Sequence, residues 1–92
     1  MIEQAALVRN KLGIHVRPAE RIAQTAVRFQ ASVALRNGEC QVNAKSILGI
    51  LALEAGLGAE ITIIADGADE REAAQAIAAL FEEGFGEELG ET

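Results

Sequence analysis

The sequence contains no tryptophan and no tyrosine, and three phenylalanines are its whole aromatic content. That is too few rings for a platform on which nucleic-acid bases stack. A single cysteine excludes an internal disulfide framework and a cysteine-rich zinc site, and points to a reducing compartment. There is one histidine and one proline, so any imidazole chemistry rests on one residue. The opening MIEQAALVRN carries an acid at Glu3, and no long apolar stretch follows a basic start. The expectation is a cytoplasmic protein without direct membrane insertion.

Ninety-two residues suit one domain. Of the 46 apolar residues 18 are alanine, and the 28 larger ones suffice for one core but not two. Residues 1–92 are therefore expected to form a single domain, with the acidic, glycine-punctuated tail frayed from about residue 85. The net charge of −6 argues against nucleic acid as a partner. Its distribution says more. Residues 1–45 hold seven bases against three acids, net +4, whereas residues 46–92 hold one base against eleven acids, net −10. Such a chain can offer a basic face to an acidic partner, although a solvated surface accounts for the same runs equally well.

Segments alternate in type. Residues 4–9 read as a strand. Residues 17–29 carry apolar side chains at 19, 22, 23, 26 and 27, a helical face, with Arg17, Arg21, Gln24 and Arg28 on another stripe. Pro18 suits the first turn and places the helix start at 15–17. Residues 32–36 alternate, and Asn37-Gly38 predicts a type I′ hairpin returning through 39–43. Ser46 can cap a short helix over 47–53. Residues 60–66 read as a strand, and Asp69 with Glu72 predicts a capping box opening a helix that runs to about 83. The order β-α-β-β-α-β-α implies an α+β fold with an antiparallel sheet and its helices gathered on one face. Cys40, within a predicted strand, is expected to be a small packed residue.

The lone histidine, His15, precedes the helix start in Gly13-Ile14-His15-Val16-Arg17-Pro18. Helix N-termini leave N–H groups unpaired and carry partial positive charge, so the Val16 and Arg17 amides form an anion-receiving end. Arg17 adds a fixed positive charge with several donors, and Gly13 allows an unusual backbone conformation. Positive charge on this side disfavours a charged ring and stabilises an added phosphate, by about 0.3–1 kcal/mol for the helix terminus. That strength suits a group that is handed on. A capping histidine without chemistry is the other reading of the same residue.

Gly13-Ile14-His15-Val16-Arg17-Pro18-Ala19 resembles the active-site signature of the HPr family, the histidine-containing phosphocarriers of the bacterial phosphoenolpyruvate-dependent sugar phosphotransferase system. Val42-Asn43-Ala44-Lys45-Ser46-Ile47-Leu48-Gly49-Ile50 resembles the family's regulatory serine region, and Gly58-Ala59-Glu60-Ile61 with Asp66-Gly67 matches its last strand and turn. The resemblance implies an HPr-like open-faced β-sandwich: a four-stranded antiparallel sheet with three helices on one face. It implies that Enzyme I phosphorylates Nδ1 of His15, that Arg17 contacts the phosphate or an acidic partner, and that enzyme IIA domains receive the group. It makes Ser46 the target of HPr kinase/phosphorylase. The chain departs from the family pattern at Val16, where a small residue or threonine is more common, and at Glu20, where a small or apolar one is usual.

Beside that resemblance, Ser46 is accounted for by capping alone. Phosphate there would set negative charge beside Ile47, Leu48 and Leu51, an apolar patch available for docking. Lys45 can pair with such a phosphate or stay solvated. Arg21, Gln24 and Arg28 are candidates for a docking rim or an ordinary polar helix face. Gly56-Leu57-Gly58 lacks the remaining glycine of a dinucleotide loop, and Lys45-Ser46 lacks the glycine spacing of a P-loop. One histidine without a cysteine cluster leaves no expectation of a metal site, and no cofactor is called for. The expectation is a stoichiometric phosphocarrier rather than an enzyme. The alternative is an HPr-like interaction module controlled through Ser46 with His15 idle.

Overall fold

The computed structural model describes residues 1–90. Strands β1 (Ile2–Leu7), β2 (Ser32–Asn37), β3 (Cys40–Asn43) and β4 (Glu60–Asp66) and helices α1 (Val16–Ala26), α2 (Ile47–Leu51) and α3 (Glu70–Glu82) follow one another as β-α-β-β-α-β-α. A 3-10 turn, Gly84–Gly86, comes after α3. The strands form one antiparallel sheet in the order β1-β4-β2-β3.

Alternation decides which face is covered. Val33 and Leu35 of β2 and Ile61, Ile63 and Ala65 of β4 are buried, while Glu3, Ala5 and Leu7 of β1 point to solvent. Helix α1 answers with Pro18, Ala19, Ile22, Ala23 and Ala26, and α3 with Ala73, Ala74, Ile77, Leu80 and Phe81, both at three- and four-residue spacings. Each fully buried larger side chain contributes about 1.5–3 kcal/mol, and alanines at 19, 23, 73 and 74 leave room for close approach. The result is the expected α+β open-faced sandwich with its helices on one face. Among the described residues no helix is long and apolar enough to cross a membrane.

Local expectations shift where long-range contacts intervene. The hairpin loop is Gly38-Glu39, because Asn37 still pairs with Cys40. Of these two central residues Gly38 has positive φ and Glu39 does not, so the turn follows the II′ pattern, with glycine first, instead of I′. The capping box does not form. The Asp69 carboxylate accepts from the amides of Gln30 and Ala31 at 2.9 and 2.8 Å, and Glu70 reaches back to the Gly67 amide. Cys40 is exposed, since it opens an edge strand at the tip of the hairpin. Helices α1 and α2 end at Ala26 and Leu51, short of residues 29 and 53.

The tail departs most from expectation. Residues 84–90 do not fray. They turn back at the 3-10 segment, Lys11 donates its amide to Glu88 at 2.8 Å, Gly90 donates to Arg9 at 2.9 Å, and Asn10 bridges Leu89. Phe85 drives this: it is buried and meets Phe81 edge-to-face at 4.9 Å. For residues 91–92 the expectation lies outside the described residues.

Candidate functional site

The loop between β1 and α1 fixes the imidazole through a glycine. Gly13 has φ +73°, and a Cβ on it would lie 2.7 Å from the Ala55 carbonyl oxygen. That same carbonyl accepts the Ile14 amide at 2.9 Å, so the loop is pressed onto the chain after α2. Buried Asn10 donates to the Gly13 carbonyl at 2.6 Å and closes the loop from the other side. The next free position is His15, the N-cap of α1, with extended backbone and no side-chain capping bond.

The ring is 38% exposed. Nδ1 makes no hydrogen bond among the described residues. The amides of Val16 and Arg17 begin the helix, with no intrahelical acceptor, and Pro18 has no N–H to satisfy. Arg17 is exposed and takes no ion-pair partner among the described residues. A half-exposed imidazole, two free amides and a free guanidinium thus share one end of α1. Glu20, the fifth residue of the same helix and so just past its first turn, is exposed.

A carboxylate absent from the sequence reading completes the group. Glu87 sets its Oε1 and Oε2 at 2.9 and 2.8 Å from His15 Nε2, and Asn10 Nδ2 donates to Oε1 at 3.0 Å. Burial raises the Glu87 carboxyl, but the bonds from His15 and Asn10 and the nearby charge of Arg17 outweigh it and hold the group below the usual range. The helix end and Arg17 therefore do not act alone on the ring: a negative charge faces it from the other side. The only hints in the sequence are the glycines at 84, 86 and 90, which permit a reversal, and Phe85, a large apolar residue in an acidic tail.

The family model described as "PTS HPr component phosphorylation site" matches residues 2–83. The chain belongs to the HPr family. It is 42% identical over 88 residues to a phosphocarrier protein HPr of Treponema pallidum, covering 96% of this chain and all of that one. It is 43% identical over 83 residues to the HPr-like protein Crh of Bacillus subtilis, covering 90% and 98%. A crystal structure of an HPr from Thermoanaerobacter tengcongensis superposes with a TM-score of 0.92 at 42% identity, covering 97% and 100%. The family model stops at residue 83, whereas the 88 residues shared with the Treponema pallidum protein extend over Glu87.

The second HPr-like stretch forms a separate feature. Ser46 is the N-cap of α2, its Oγ accepting from the Gly49 amide at 3.1 Å. With Ile47, Leu48, Lys45, Gln24 and the exposed Val27 it lines an open, mainly apolar groove of about 450 Å³ between α1 and α2. Leu48 is 80% exposed, whereas Leu51 is partly buried against the core and does not line the groove. Lys45 is not simply solvated: its Nζ donates to the Phe29 carbonyl at 2.9 Å. Arg21 donates to the Phe85 carbonyl, ties the tail to α1, and does not line the groove. Arg28 is exposed at the turn after α1 and lies outside the groove lining. A larger depression, about 630 Å³, lies by the strands and shares only Lys45 with the candidate residues.

Proposed function

We propose that the protein is a cytoplasmic phosphocarrier. His15 accepts a phosphoryl group through Nδ1 from phosphoenolpyruvate-charged Enzyme I and passes it to enzyme IIA domains. The observation that carries this reading is the ring itself: half-exposed at the N-cap of α1, with Nδ1 unengaged and two helix amides and Arg17 beside it. Phosphoryl transfer needs mainly positioning and charge stabilisation, so a small carrier relies on its partner's active site for the rest. The chain is then a stoichiometric intermediate, and the groove between α1 and α2 is its docking surface, with Gln24 and Lys45 at the margin of an apolar centre. Incubation with Enzyme I and labelled phosphoenolpyruvate is expected to give an acid-labile adduct that His15→Ala abolishes. Full labelling of that variant refutes the assignment.

Ser46 supports a second, regulatory modification by HPr kinase/phosphorylase. Its hydroxyl caps α2 at the margin of the docking groove, so a phosphate there would bring negative charge to the apolar centre without unfolding the helix. The likeness to Crh favours keeping the purely regulatory reading as the alternative. Labelling by HPr kinase with ATP, and none by Enzyme I, would decide for it.

A further inference from the structure

Glu87 lies 72 residues from His15 in sequence, yet both of its oxygens face one ring nitrogen. Its position is held from both sides. Upstream, Phe85 is buried against Phe81 and its carbonyl accepts from Arg21. Downstream, Glu88 and Gly90 bond to the backbone of Lys11 and Arg9. Asn10 is fully buried and clamps the carboxylate and the Gly13 carbonyl with one amide nitrogen. The reverse orientation of that amide would aim its oxygen at two acceptors, so the clamp has one arrangement, kept although Oδ1 finds no partner.

An ionised carboxylate accepts hydrogen bonds and cannot donate them, so a nitrogen 2.8 Å from it must carry a proton. On an uncharged imidazole a proton on Nε2 leaves the lone pair on Nδ1. Resting on the phosphocarrier reading, we infer that Glu87 is a positioning residue for phosphoryl transfer: it holds His15 with its proton on Nε2, making Nδ1 the attacking atom. As the Nδ1 lone pair forms the new N–P bond, the bond from phosphorus to the donor breaks and its electron pair leaves with the donor. The His15 ring then carries a positive charge, and its Nε2 proton stays shared with Glu87, opposite the phosphate. Onward transfer reverses these changes. A carboxylate that orients a histidine and balances its developing charge is the logic of the third member of a catalytic triad.

The test uses the full chain and Glu87→Gln, which keeps the side chain's volume, with Glu87→Ala as a second variant and thermal unfolding as the check of folding. Nitrogen-15 NMR at about pH 9, where an imidazole is uncharged, reads the tautomer directly. The wild type is expected to show a protonated Nε2 and a bare Nδ1, and both variants a mixture. Steady-state phosphorylation by Enzyme I is expected to lose about tenfold in kcat with KM little changed, the lower end of the loss when a partner orienting a metal-bound histidine is removed. An unlabelled wild type overturns the phosphocarrier reading and the inference built on it. A labelled wild type whose folded variants keep full kcat, or whose His15 carries its proton on Nδ1, overturns the inference alone.

Discussion

Replacing Gly13 with alanine adds one methyl group at the point where the His15 loop meets the chain after α2. The new Cβ would sit 2.7 Å from the Ala55 carbonyl oxygen and 2.9 Å from Gly56 Cα, both backbone atoms that cannot rotate away. The left-handed conformation at φ +73° costs a non-glycine residue about 1–2 kcal/mol, and forced overlap in packed surroundings about 1–3 kcal/mol more. The total, about 2–5 kcal/mol, is a large fraction of the ~5–15 kcal/mol stability of a domain. For a domain of this length each kcal/mol is worth ~5 °C, so the midpoint should fall by about 10–25 °C. Gly38→Ala is the internal control. Gly38 also has positive φ, +60°, but a Cβ there meets nothing within 4 Å, so only the conformational cost remains. Thermal unfolding followed by circular dichroism compares the two. If Gly13→Ala melts no lower than Gly38→Ala, the contact with Ala55 does not hold the loop as argued. Where Gly13→Ala stays folded, the same displacement should draw the ring off Glu87, visible as a change in the His15 nitrogen resonances.

Asp69 gives a pH prediction. The amides of Gln30 and Ala31 hold its carboxyl below the usual 3.8, so its stabilisation is complete above that value and lost as pH falls through the lower folded one. Asp69→Asn should flatten the acid limb of a plot of melting temperature against pH below about 4, and an unchanged limb would remove Asp69 from the account. Ser46→Ala removes the acceptor of the Gly49 amide and should cost about 1 kcal/mol, with faster hydrogen exchange at Gly49. Unaltered exchange there would contradict the cap.

Elements governed by neighbours in sequence were legible. The start of α1 falls within the predicted 15–17, because Pro18 and the apolar spacing act locally, and β4 occupies 60–66 as its isoleucines suggest. Ser46 takes the predicted N-cap, a contact of three residues' reach. Errors arose where a side chain had a distant competitor. Asp69 has the right identity for a capping box, but two amides nearly forty residues away claim its oxygens. Arg21 sits on the predicted polar stripe, yet its bond to the Phe85 carbonyl, 64 residues away, was not legible there.

The same division runs through the site. Sequence alone determined which residue supplies the imidazole, that it precedes a helix, and that Arg17 stands beside it, since all of this lies within one turn of chain. Tertiary structure decided which ring nitrogen is engaged. The contact of Glu87 with His15 depends on burial of Phe85 against Phe81, on the turn at Gly84 and on the backbone bonds of the tail to residues 9–11. Acidic composition describes the tail's average preference for water. It carries no record of the one phenylalanine's burial that overrides it and brings a carboxylate to the ring.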